Sequence, residues 1–135
     1  MNLACWNIRG LHMPHKQEEV RSLVHANKIS IIGILETKVK RHSFLNIAKN
    51  LLRGWKAISN HHCHYNGRIW VLWNPELVDV DILLTSSQIL HLAVTVIEKH
   101  ISFRASFVYA FNSYMDRVPL WSSLQNIAAS TSDLP

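Results

Sequence analysis

Apolar residues first come as a short run, then at helical spacing, then as a run again. Leu3 to Ile8 reads as a buried strand ending at Arg9-Gly10. Pro14 suits the first turn of a helix. Val20, Leu23, Val24 and Asn27 fall at i, i+3, i+4 and i+7, which predicts a helix stopping near Asn27. Ile29 to Leu35 is apolar on both faces, the pattern of a central strand covered on each side. Strand, helix, strand in this order form a crossover unit, so the two strands should run parallel.

A second helix follows, with Ser43 as its expected cap, Phe44, Ile47, Ala48 and Leu51 as its stripe, and Gly54 beyond its end. The period then changes to that of strands over residues 55–59, 68–73, 78–84, 88–97 and 101–109. Asn74-Pro75-Glu76, Ser86-Ser87 and Lys99-His100 suit antiparallel hairpins, giving a meander. Along the last strand Ile101, Phe103, Ala105, Phe107 and Tyr109 share one face. Leu120, Leu124, Ile127 and Ala128 mark a final helix opened near Pro119, and residues 130–135 read as a frayed tail. This is a mixed α/β pattern with no repeat or linker, and no strand follows the closing helix.

Length and composition narrow the class. The chain has 135 residues, 48% of them hydrophobic, which suits one domain with one core and excludes intrinsic disorder. Charged residues are only 17%, against the roughly 25% usual for soluble domains. A surface so poor in charge points to a partner surface or an unfilled part of the fold. The net charge of +5 suits a polyphosphate partner, as it suits many ordinary domains. Two cysteines make no disulfide framework, and Cys5 is expected as a small buried core residue. No apolar run approaches a membrane span and the N-terminus has no signal layout, so the cytosol or nucleus is the expected compartment.

Three polar residues sit where buried strands end: Asn7, Glu36 and Tyr109, with Asn112 three residues further on. Parallel pairing of the first two strands brings Asn7 and Glu36 out at the same edge of the sheet, the rim where α/β sheets bind ligands. A carboxylate there is a plausible Mg²⁺ ligand, because Mg²⁺ takes one or two carboxylates plus waters and phosphate oxygens. Each residue also has an ordinary reading: Glu36 as the first solvated residue after a strand, Asn7 as a turn residue, Tyr109 as core packing. Lys38, Lys40 and Arg41 form a basic run beside Glu36, suited to a solvated loop or to a phosphate backbone. His61-His62-Cys63-His64 lacks the paired spacing of a structural zinc site and reads as a polar hairpin loop. Of Trp70 and Trp73, at least one should be core.

Taken together, Cys5-Trp6-Asn7-Ile8-Arg9-Gly10-Leu11, Leu35-Glu36-Thr37, Asn66-Gly67-Arg68-Ile69-Trp70-Val71-Leu72-Trp73 and Val108-Tyr109-Ala110-Phe111-Asn112 resemble the endonuclease/exonuclease/phosphatase superfamily. They are most similar to the endonuclease domain of plant LINE-type (non-LTR) retrotransposons, which Arg117, Leu120-Trp121 and Leu124 also fit. The resemblance implies the N-terminal half of a four-layer, DNase I-like α/β-sandwich, a mixed β-sheet with flanking helices, over residues 1–129. It implies Mg²⁺-dependent phosphodiester hydrolysis on DNA. Glu36 would then bind the metal, Asn7 would orient the site and its metal-bound groups, and Tyr109 would hydrogen-bond the scissile phosphate. Asn112 would contact nucleic acid, with Lys38, Lys40 and Arg41 along the backbone.

The family continues past this point with a strand ending Gly-Asp-Phe-Asn and a closing Ser-Asp-His segment, which supply the remaining ligands and the group that activates water. Neither motif occurs in these 135 residues. The expectation is therefore a catalytically inactive half-domain, prone to self-association through uncovered sheet surface and with no membrane partner. The alternatives are a non-catalytic fragment that binds nucleic acid or protein, and a decayed element without a selected role.

Overall fold

In the computed structural model, residues 1–64 and 67–131 are described. Asn66 and the tail from residue 132 onward lie outside the described residues. The elements in chain order are β1 (Asn2–Asn7), α1 (Pro14–Asn27), β2 (Ile29–Leu35), α2 (Arg41–Leu51), β3 (Lys56–Ser59), β4 (Ile69–Trp73), β5 (Val78–Thr85), β6 (Ile89–Val96), β7 (Ile101–Val108) and α3 (Tyr114–Thr131). They build a sheet of order β1-β2-β4-β3 and a second of order β5-β6-β7.

Strand β1 pairs parallel to β2, as the crossover through α1 requires, while β4 runs antiparallel to both β2 and β3. The period-two alternation then sorts the side chains between two cores. Ile32, Ile34, Trp70 and Leu72 face α1 and α2, meeting Val20, Val24, Ala48 and Leu51. Ile31, Ile69, Val71 and Trp73 face the second sheet, meeting Val78, Leu90, Leu92, Val94 and Phe107. Both tryptophans are therefore core, on opposite faces of one strand. Helix α3 lies on the outer face of the second sheet, where Ser123, Asn126 and Ile127 line a cavity with His91 of β6 and Arg104 of β7. The layers run helices, sheet, sheet, helix.

Phe107 of β7 lies against Gly33 of β2, where a Cβ would come within 2.1 Å of its ring. That contact places β7 over β2 and leaves β1 with no strand opposite. Leu3 and Cys5 pair in register with Ile31 and Gly33, so they share the inner face, yet Leu3 is 41% exposed. Cys5 is exposed rather than core, because the second sheet has one strand fewer than the first.

Further expectations are corrected. Asn74-Pro75-Glu76 is no hairpin: it carries the chain from one sheet to the other, with Asn74 accepting from Glu76 N at 3.1 Å through its side chain. Val78, fully buried between the sheets, is what draws the chain across. The meander is confined to β5-β6-β7, since β4 inserts between β2 and β3. Helix α2 starts at Arg41, and Ser43 makes no side-chain cap, because burial of Val39 turns the chain earlier. Helix α3 starts at Tyr114 and encloses Pro119, its first turn closed by Arg117 N donating to Ser113 O at 3.2 Å. It also runs on through Ser130, whose hydroxyl donates to Ile127 O.

Candidate active site

The ladder between β1 and β2 continues beyond both strands. Ile8 N donates to Leu35 O, Gly10 N to Glu36 O and Leu11 N to Thr37 O, at 3.1, 3.0 and 2.7 Å. Arg9, Glu36 and Lys38 all take left-handed backbone, at φ 54°, 56° and 58°. Such conformations cost non-glycine residues free energy and persist only where neighbours hold them. Here Glu36 is held on both sides: its N–H donates to Arg68 O at 2.8 Å while its carbonyl accepts from Gly10. The carboxylate is 28% exposed on its side chain and stands 3.6 Å from Arg9 Nε.

Beyond Glu36 the chain is stitched to the opposite loop. Buried Thr37 donates from its hydroxyl to Gly67 O at 3.1 Å. His61 Nε2 lies 2.8 Å from Val39 O and its Nδ1 2.7 Å from Ser59 Oγ. The carbonyl can only accept, so Nε2 carries the proton and Nδ1 accepts from the serine. His61 is thus a buried structural residue. The His64 imidazole is held below its ordinary value by burial first, then by the charges of Arg68 and His61.

Tyr109 closes β7, its N–H donating to Gln88 O at 3.0 Å. The Arg68 guanidinium lies 4.7 Å from the centre of the Tyr109 ring and 5.1 Å from that of Phe111. Buried Gln88 accepts from Phe111 N at 2.8 Å and donates to Asp116 O at 2.9 Å, tying the end of β7 to the start of α3. Arg68 is therefore the link between the sheets: its carbonyl fixes Glu36 on one side, and its side chain stacks on Tyr109 on the other.

Asn7 pairs with Leu35 at the end of the first sheet, one residue before Glu36 and three before Lys38, and Tyr109 is linked to Glu36 through Arg68. Asn112 is exposed in the turn before α3. Arg41 is not brought to the rim. It lines a groove with Phe44, Ala57, His62 and Ile82, on the β3 side, and Lys40 directly precedes it, because Val39 turns inward between Lys38 and Lys40. Arg68 and Gln88 were missed as site residues. The signal for Arg68 was a charged residue opening a fully apolar strand; Gln88 carried none, since its partners are distant in sequence.

Among the described residues no group of three His, Cys, Asp or Glu could hold a metal. Asn7 ends β1 opposite Leu35, the residue before Glu36. The Glu36 carboxylate is a hard oxygen donor of the kind Mg²⁺ takes beside waters and phosphate oxygens, whereas a structural zinc site is built from nitrogen and sulfur ligands.

No protein-family model matches the sequence, and no curated protein matches it. Solved structures do match the fold. The human Nocturnin catalytic domain, solved with a bound sulfate anion, superposes with a TM-score of 0.58 at 14% identity, over 94% of this chain and 58% of that one. The endonuclease domain of TRAS1, a telomere-specific non-LTR retrotransposon, does so at 0.66 and 11%, over 95% and 52%. An endonuclease/exonuclease/phosphatase from Bacteroides vulgatus does so at 0.64 and 9%, over 98% and 59%. This chain spans a little over half the length of each. It has the mixed α/β, DNase I-like fold of the endonuclease/exonuclease/phosphatase proteins.

Proposed function

We propose that this chain carries the Asn7–Glu36–Tyr109 half of a Mg²⁺-dependent phosphodiesterase site acting on DNA, of the retrotransposon-endonuclease kind. The observation that carries the reading is the Arg68 bridge, which holds a carboxylate and a tyrosine at matching ends of two facing sheets. Glu36 would hold the ion, with Asn7 beside it. Bound there, Mg²⁺ would supply neutralisation of charge developing on the phosphate oxygens. The Tyr109 hydroxyl would donate to a phosphate oxygen, a fixed dipole that needs no reorganisation during reaction. Lys38 adds positive charge for the nucleic-acid backbone, and a retrotransposon endonuclease among the structural neighbours supports DNA as the partner.

Hydrolysis also needs a group that activates water, and among the described residues no group of three His, Cys, Asp or Glu stands together. These 135 residues alone are therefore expected to bind rather than turn over. The test is nicking of supercoiled DNA with Mg²⁺, alongside calorimetric Mg²⁺ titration. Expected are no nicking above the Glu36→Ala level and a weak Mg²⁺ isotherm that Glu36→Gln abolishes. Nicking that Glu36→Ala removes would overturn the inactivity, and Mg²⁺ binding indifferent to Glu36 would overturn the site.

A second reading, a non-catalytic nucleic-acid-binding fragment, is favoured by the excess of cations, with Arg9 paired to Glu36, Lys38 two residues beyond it and the Arg68 carbonyl bonded to the Glu36 N–H. It predicts salt-dependent DNA binding that survives Glu36→Gln and weakens when Lys38, Lys40 and Arg41 are replaced. We further propose self-association through the open edges of β1 and β7, where Leu3 and Ile101 are exposed. Sedimentation that stays monomeric over a wide concentration range would refute that.

A further inference from the structure

Among the described residues, none pairs with the charge of Arg68. Its Nη1 is buried without a hydrogen-bond partner among the described residues. No carboxylate among them lies within ion-pair distance of it, since Glu36 pairs with Arg9 and the other two pairs are on α1. Taking a guanidinium out of water without a counter-ion is costly, and the faces of Tyr109 and Phe111 offset only part of that. As a brace between sheets the residue would need neither the charge nor the fork of donors; an aliphatic side chain would fill the same gap. The residue as a whole is only partly buried.

The surroundings fit one kind of solute. Arg9 pairs with the Glu36 carboxylate, Lys38 lies two residues beyond it, and the Arg68 carbonyl accepts from the Glu36 N–H, so cations outnumber the carboxylate along this stretch. The planar fork of an arginine matches two oxygens of a phosphate group, and such charge-assisted bonds are the stronger class. The Arg68 guanidinium lies over the rings of Tyr109 and Phe111, 4.7 and 5.1 Å from their centres.

We infer that Arg68 is the anion-binding residue of this rim, its guanidinium taking the oxygens of a phosphate group that lies between Tyr109 and Glu36. The inference deepens the proposed function by naming the group that holds the substrate's phosphate, and it requires no metal. The phosphate can belong to a nucleic-acid backbone or to a small phosphate ester, and the two differ in length dependence. Affinity rising with oligonucleotide length marks the first, and affinity equal for a mononucleotide and a long strand marks the second.

The test is a titration of the wild-type chain with inorganic phosphate, without divalent cations, followed in ¹H–¹⁵N spectra that include the arginine side chains. Saturable shifts of the Arg68 side-chain signals and of the Glu36 and Tyr109 amides are expected, with none in chloride at matched ionic strength. Arg68→Met, which keeps the aliphatic packing, should weaken phosphate binding by roughly tenfold or more, and Arg68→Lys by less. Arg68 signals that stay still while phosphate binds elsewhere, no binding at all, or a folded Arg68→Met with wild-type affinity would each overturn the inference. If Arg68→Met does not fold, the wild-type spectra still decide. Mg²⁺ titrated separately keeps the two readings apart: phosphate bound at Arg68 with no Mg²⁺ at Glu36 sinks the metal site alone, and the reverse sinks Arg68 alone.

Discussion

Replacing Gly33 by alanine tests the packing that positions both halves of the rim. Gly33 lies in β2 with ordinary extended backbone, paired to Cys5 on one side and Val71 on the other, so alanine meets no conformational penalty there. What it meets is the Phe107 ring. A Cβ at this position would lie 2.1 Å from Cδ1 and 2.4 Å from Cε1, against about 3.4 Å for ordinary contact. The ring would have to retreat by more than 1 Å, and it is buried in the core with Ile31, Leu90 and Leu92. Overpacking of this kind costs about 1–3 kcal/mol, offset by roughly 0.4–1 kcal/mol because alanine restricts the unfolded chain. A net loss of about 1–2 kcal/mol is expected for Gly33→Ala, read from urea unfolding followed by tryptophan fluorescence at unchanged m-value. Phe107→Leu alone should cost about 1–2 kcal/mol by leaving space. In the double variant the new methyl enters that space, so the loss should fall short of the sum by about 1 kcal/mol. Gly33→Ala as stable as wild type, or two losses that simply add, would refute the close approach of β7 to β2.

Gln88→Leu should cost about 2 kcal/mol, because the backbone N–H of Phe111 and carbonyl of Asp116 lose their buried partner; hydrogen exchange at Phe111 should rise with it, and an unchanged exchange rate would refute the tie. Gly67→Ala forces a side chain onto backbone at φ 52° and into the His61 ring, so a loss of about 2–3 kcal/mol is expected, with the His61 Nε2–H signal lost; a preserved signal would count against the stitched loop. Burial, then the Arg104 charge, holds the His91 imidazole below its ordinary 6.5, against a smaller opposing pull from the Ala105 backbone. The unfolded chain therefore binds more protons than the fold just below that value, so stability should fall as the pH drops below about 6.5. His91→Gln, still beside Ser106, should flatten that slope, and an identical slope in both proteins would show that His91 contributes none of it.

Local pattern was enough for the elements and for the first half of the site. Helical spacing at Val20, Leu23 and Val24 and the unbroken run Ile29–Leu35 identify a helix between two strands, and chain chirality makes those strands parallel. Parallel pairing brings Asn7 and Glu36 to one edge without further information. Local pattern no longer decides where one stretch of sequence has two self-consistent outcomes. Asn74-Pro75-Glu76 can turn a hairpin or carry the chain between sheets, and only the burial of Val78 against Ile69, Val71 and Trp73 selects the second. Cys5 has the neighbours of a core residue, yet it is exposed because of a strand count in a different sheet.

The same reason hid Arg68. Its carbonyl meets Glu36, 32 residues earlier in the chain, and its side chain meets Tyr109, 41 residues later. Contacts at such separation are set by how two sheets stack, a choice made by volume and shape between Gly33 and Phe107 rather than by any periodicity. Sequence alone determined which residues stand at strand ends; the stacking of the sheets decided that a cation would stand between them.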